Sequence, residues 1–214
     1  MRVISVNVGL PRTVTWRGRQ VESGIWKSPV DGRVTVRTLN LDGDRQADLA
    51  VHGGVDKAVY AYPSEHYAWW RQQLPGVELP WGSFGENLTV EGLDEREVRV
   101  GDHYRIGSTE LVVTQPRMPC FKLGIRFGRP EIVKQFLQSE RSGFYFAVLR
   151  EGEIGAGDVV ERTRQDPHAV TVTDVVRLYV AQDPDPISLQ RAIEVAALPE
   201  SWRRHFRERA FGGS

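Results

Sequence analysis

The hydrophobic period of this chain changes near Gln165, Asp166, Pro167 and His168, and no other feature constrains its fold as strongly. Before that point, short apolar runs are punctuated by glycine, proline and aspartate, which predicts strands over residues 34–41, 57–62, 87–90, 104–106, 110–114 and 144–149. An Asp31-Gly32 turn between residues 26–30 and 34–41 predicts a hairpin. Two helices interrupt the strands. Ser64 suits the cap of one over residues 64–74, and Pro130 the first position of another over 130–139. Strands at such spacing predict a mainly β barrel or sandwich with a few short helices.

After the break the period becomes helical. Val172, Val175, Val176 and Tyr179 fall on one face, and Ile187, Ala192, Ile193 and Ala196 on the next, with Pro186 and Pro199 at helix starts. The chain therefore reads as a main domain over residues 1–165 and a small three-helix domain over 168–214. Such a short helical piece makes a marginal core by itself and is expected to pack on the strands.

Composition excludes several classes. Lys plus Arg (28) balances Asp plus Glu (28), so no global field favours nucleic acid or an anionic membrane, and a charged ligand must meet a local site. No apolar run is long enough to span a bilayer, which reads as a cytoplasmic chain. The basic stretch Arg203, Arg204, His205, Arg207 and Arg209 is interrupted by Glu208 and follows Glu200, the pattern of a solvated face rather than a groove reader. No structural zinc spacing, dinucleotide fingerprint or hydrolase elbow occurs.

The segment Gln115-Pro116-Arg117-Met118-Pro119-Cys120-Phe121-Lys122 carries the only cysteine. Two prolines stiffen the turn, and Arg117 and Lys122 set positive charge around a thiol, which favours the thiolate that attacks carbon or ligates a soft metal. The alternative is a small buried hydrophobe. His52, Gly53, Gly54 and Lys57 suggest an anion cradle, because paired glycines let backbone N–H groups approach an anion beside a cation. A plain glycine turn with a solvated lysine and a core histidine is the other reading. Phe84, Gly85, Glu86 and Asn87 form a sharp turn whose carboxylate and amide either read a polar heterocycle or merely begin a strand. Lys27 beside Ser28 either holds an anion or belongs to an ordinary loop.

Together GIWKSPV, LDGDRQADLAVHGGVDKAVYAYP, GSFGENLTVEGL, GDHYRIG and VVTQPRMPCFKLG resemble, in order and spacing, the MOSC domain, named for the C-terminal part of molybdenum cofactor sulfurases. The tail VTVTDVVRLYVAQDPDPISLQRAIEVAALPESWRRHFRER resembles the three-helix domain of the YiiM-like group. The resemblance implies a MOSC-type β-barrel whose mouth holds molybdenum cofactor, molybdopterin with its metal. It makes Cys120 the metal ligand and catalytic centre, and Lys27, His52, Gly53, Gly54, Lys57, Phe84, Gly85, Glu86, Asn87 and Arg117 the cofactor-binding set. It further implies reduction of N-hydroxylated bases and related compounds, a detoxifying reaction, with an electron-donating reductase as partner and a monomer or homodimer as the working form. Competing readings are a sulfur carrier with a persulfide on Cys120, pyridoxal phosphate chemistry at Lys57, and a non-catalytic binding module.

Overall fold

The computed structural model describes residues 1–47 and 53–211. Its centre is a mixed sheet of eight strands: β1 (Arg2–Val8), β4 (Ser28–Pro29), β6 (Val59–Pro63), β7 (Leu88–Glu91), β8 (His103–Ile106), β9 (Thr109–Pro116), β10 (Phe144–Arg150) and β12 (Val160–Arg164). They run in the order β12-β8-β9-β10-β6-β7-β1-β4. Two short ribbons flank it: β2 (Arg12–Trp16) with β3 (Arg19–Ser23), and β5 (Arg33–Val36) with β11 (Gly152–Gly155).

The expected barrel is not found as a closed ladder. The order given is open, and β1 meets the start of β12 through the Arg2–Val159 bridge and the Val3 N–H to Asp158 O bond of 2.9 Å.

Among the described strands only β6 and β7 pair in parallel, and such strands need a crossover. Helix α1 (Glu65–Gln73) supplies it. Every residue of β6 is buried, because both faces of this strand are covered. Val59 and Ala61 point into one core with Val3, Leu88, Leu111 and Phe146. Tyr60 and Tyr62 point to the opposite face, as the twofold period of a strand requires. There they pack with Tyr67 and Trp70 of α1, and with Leu123, Ile132 and Phe136 from α2 (Phe121–Phe127) and α3 (Ile132–Gln138).

The hairpin expected around Asp31-Gly32 is corrected. Gly32 makes the turn at φ +79°, but its arms separate: β4 pairs with β1, while β5 pairs with β11. The separation buries Val34 and Val36 in the main core beside Ile154, which an isolated two-strand ribbon does not do. The strand expected over 34–41 likewise ends at Val36. A turn closed by Arg37 N–H to Asn40 O at 2.7 Å folds the chain back and returns Leu41 to the core.

Three helices end the described chain: α4 (Val172–Val180), α5 (Pro186–Glu194) and α6 (Glu200–Phe211). A reciprocal capping box of Thr171 and Asp174 starts α4, and Asp185 with Pro186 starts α5. Val175, Leu178, Leu189, Ala192 and Phe206 bury together with Val100 of the main chain body. Three positions expected on the buried faces are exposed instead: Tyr179 at 43%, Ile187 at 76%, and Ala196. Leu178 and Leu189 take the buried places, because the contact surface between three short helices lies slightly around each helix from the periodic stripe.

Candidate functional site

A pocket opens where the ends of β3, β6, β9 and β10 meet the loops after β3 and β9. Its described lining includes Lys27, Arg45, Lys57, Arg117 and Lys122 together with Cys120, and it contains no Asp or Glu. In a chain of zero formal net charge, this cation-rich lining is a local feature that only the fold assembles.

Cys120 stands directly before α2, where extended backbone (φ −127°, ψ 173°) turns into helix, and its side chain is partly exposed at the pocket. Arg117 lies one residue beyond β9 and is only 6% exposed. Its guanidinium carbon sits 4.9 Å from the Phe136 ring centroid and 5.7 Å from that of Tyr60. The Arg117 Nη1 atom is buried and has no hydrogen-bond partner among the described residues. A buried, permanently charged group with an idle donor carries a desolvation cost that an anion in the pocket offsets.

Lys27 is also buried, and its Nζ lies 2.5 Å from Asp44 Oδ2. Burial lowers the Lys27 pKa, and Asp44 opposes that shift. Asp44 is held in turn by the Gly9 N–H at 3.0 Å and Asn87 Nδ2 at 2.9 Å. Lys57 closes the short 3-10 turn Val55–Lys57, whose Gly54 lead-in adopts φ +95°, a backbone region that favours glycine. Burial lowers the Lys57 pKa as well, with Asp56 partly restoring it.

The expected site residues divide. Lys27, Lys57, Phe84, Gly85, Asn87, Arg117 and Cys120 line one pocket. Gly53 and Gly54 are not in the described lining; they lead into the turn that presents Lys57. Glu86 turns away from it and is fully buried. Its Oε1 accepts from Tyr67 Oη, Gly82 N–H and Thr89 Oγ1, and its Oε2 from Phe84 N–H at 3.1 Å, so it fastens its own loop. Burial pushes its carboxyl pKa up against those donors. Asn87 borders the pocket, yet its Oδ1 accepts from Tyr60 N–H at 3.0 Å while its Nδ2 donates to Asp44. His52 lies outside the described residues.

Sequence reasoning missed Tyr60 and Tyr145, whose rings stand 5.1 Å apart and form an aromatic wall. Both read as ordinary strand residues, and only the β6–β10 pairing, in which they are direct partners, brings them together. The 45–47 segment was also missed. It packs against Gly24, where an added Cβ would lie 2.5 Å from the Arg45 carbonyl oxygen, so glycine there is required for the approach.

With fold and site in place, the class is clear. The MOSC domain family model matches residues 48–161, and the chain belongs to that family. Residues 170–209 match the YiiM-like, 3-alpha helix domain. YflK of Bacillus subtilis is 41% identical over 95% of this chain and 92% of its own length. Protein YiiM of Escherichia coli is 35% identical over 89% of this chain and 86% of its own. The crystal structure of YiiM from Geobacillus stearothermophilus superposes with a TM-score of 0.82 at 34% identity, covering 98% of both chains. A fungal protein named reductase, from Gibberella moniliformis, is 33% identical over 85% of this chain, which spans 32% of that protein.

Proposed function

We propose that this chain is a molybdenum cofactor-dependent oxidoreductase that reduces N-hydroxylated bases and related N-hydroxylated compounds with electrons from a separate donor. The observation that carries this reading is the buried Arg117, its Nη1 unpartnered among the described residues, in a pocket whose described lining adds four further cations and a cysteine and holds no carboxylate. That donor set fits an anionic pterin phosphate and a soft metal. Membership of the MOSC family and the name of the fungal relative point in the same direction.

In this reading Cys120 supplies the thiolate ligand, which a soft metal prefers over a hydroxyl. Arg117 and Lys57 bind the anionic part of the cofactor. Lys27 adds positive potential while Asp44 and Asn87 hold it in place. Tyr60 and Tyr145 line the same pocket as an aromatic wall. When bound, the cofactor supplies the two-electron change by which an N–OH compound, two electrons and two protons become N–H and water.

The test is to purify the chain from a host that makes the cofactor, measure molybdenum per chain, and assay a hydroxylaminopurine with a chemical electron donor. Stoichiometric metal and turnover are expected. Cys120→Ser is expected to keep the fold, with a stability change of about 1 kcal/mol, and to lose turnover. A metal-free wild-type protein, or a serine variant as active as wild type, overturns the reading. Sulfur on Cys120 without metal would instead indicate the persulfide carrier.

A further inference from the structure

We infer that Gln115 is a positioning residue for the anion-binding side of the pocket, and that Trp202 of the C-terminal helix α6 sets its orientation. The Gln115 side chain is buried between two structural units. Its Oε1 accepts from Trp202 Nε1 at 2.7 Å, and its Nε2 donates to the Asp56 carbonyl at 3.2 Å. Thr114 Oγ1 reaches the same carbonyl at 2.7 Å. Asp56 sits inside the 3-10 turn, one residue before Lys57.

The two ends of an amide differ chemically, and here each meets a partner that tolerates only one of them. An indole N–H is a donor only, so Trp202 requires the amide oxygen to face α6. That choice delivers the NH2 group to a backbone carbonyl, which is an acceptor only. Trp202 therefore dictates which end of Gln115 grips the Lys57 turn. Gln115 also pairs across the sheet with Tyr145, and Arg117 follows two residues later, just beyond the end of β9. One buried amide thus adjoins three pocket residues, and a helix outside the pocket holds that amide.

The assignment depends on the reading above only for what the anion is. The experiment uses the full chain, inorganic sulfate as the probe, and Trp202→Phe, which keeps a ring against Tyr179 and Phe206 but removes the N–H. Gln115→Leu removes both bonds. Each variant is expected to weaken sulfate binding about fivefold, the value of one buried hydrogen bond. Combined with Lys57→Gln, neither is expected to add a further loss, because both act through that lysine. The second readout is the pH midpoint of Lys57 acetylation, followed by peptide mass spectrometry. The midpoint is expected to rise toward the ordinary lysine range as the turn loosens and water reaches the ammonium. An unchanged midpoint in both variants overturns the inference, as does a sulfate loss fully additive with Lys57→Gln. If Gln115→Leu fails to fold, Trp202→Phe decides alone. Wild-type protein that ignores sulfate while the midpoint still shifts refutes the anion reading and supports the positioning role.

Discussion

At the scale of single residues, one question is which cations of the pocket serve the fold and which are left for a ligand. Lys27 and Arg117 are both buried, but among the described residues only Lys27 has a carboxylate partner, at 2.5 Å. Removing one member of a buried pair strands the other charge, so Lys27→Met is expected to cost about 3–5 kcal/mol, read as a lower urea midpoint. Adding Asp44→Asn should recover part of the loss, because the stranded charge is then gone while an amide oxygen still accepts from Gly9. A loss under about 1 kcal/mol would show that Lys27 is held by something other than Asp44. Arg117 was legible in the sequence as a charge beside Cys120. That one of its donors has no partner among the described residues was not, since burial and partners come from Phe136, Tyr60 and the surrounding strands.

At the scale of elements, the loop before β7 is the clearest case of a motif whose chemistry turned inward. Glu86 accepts four hydrogen bonds from its own loop, from β7 and from α1. Its carboxylate therefore sets where Phe84 and Gly85 stand at the pocket edge. Glu86→Leu leaves those donors buried without an acceptor, and the expected penalty is at least about 3 kcal/mol. Calorimetric melting measures it, and sulfate titration at a temperature where the variant is still folded shows whether the anion binding proposed for the pocket is lost with the loop. A variant melting within a degree or two of wild type would mean that these donors find water. Gly85 has its own constraint: at φ +84°, an added Cβ would stand 2.9 Å from Ile25 Cγ1. A glycine in a turn signal was visible in the sequence, but its partner across the loop was not.

At the scale of the whole molecule, the C-terminal helices belong to the same packing as the sheet. Val172 lies in the main core, Val100 lies in the helical one, and backbone bonds join Val98 to Val172 and Val100 to Val170. Arg177 also pairs with Glu140, which holds that carboxyl below its usual range. Ending the chain at Pro167 removes Val170, Val172 and Val175, each worth about 1.5–3 kcal/mol of burial, against a typical net stability of about 5–15 kcal/mol. The truncated chain is expected to lose cooperative unfolding, as followed by circular dichroism during heating. A sharp transition near the wild-type temperature would show that the two parts are energetically separate.

The sequence alone determined the switch from strand to helix period, the positions of most strands between residues 57 and 149, the capped helices after residue 168, and the clustering of cations around the cysteine. These are local matters of periodicity, turn chemistry and charge, readable over short windows. Only the tertiary structure decided which of those groups share a pocket. Asn87 and Glu86 spend their polar atoms on the fold because Asp44, Tyr60 and Tyr67 are brought beside them from other elements. Tyr60 and Tyr145 become neighbours through strand pairing, and Trp202 reaches Gln115 from the far end of the chain. Hydrogen-bond partners and burial are properties of distant segments in contact, and no short stretch of sequence carries them.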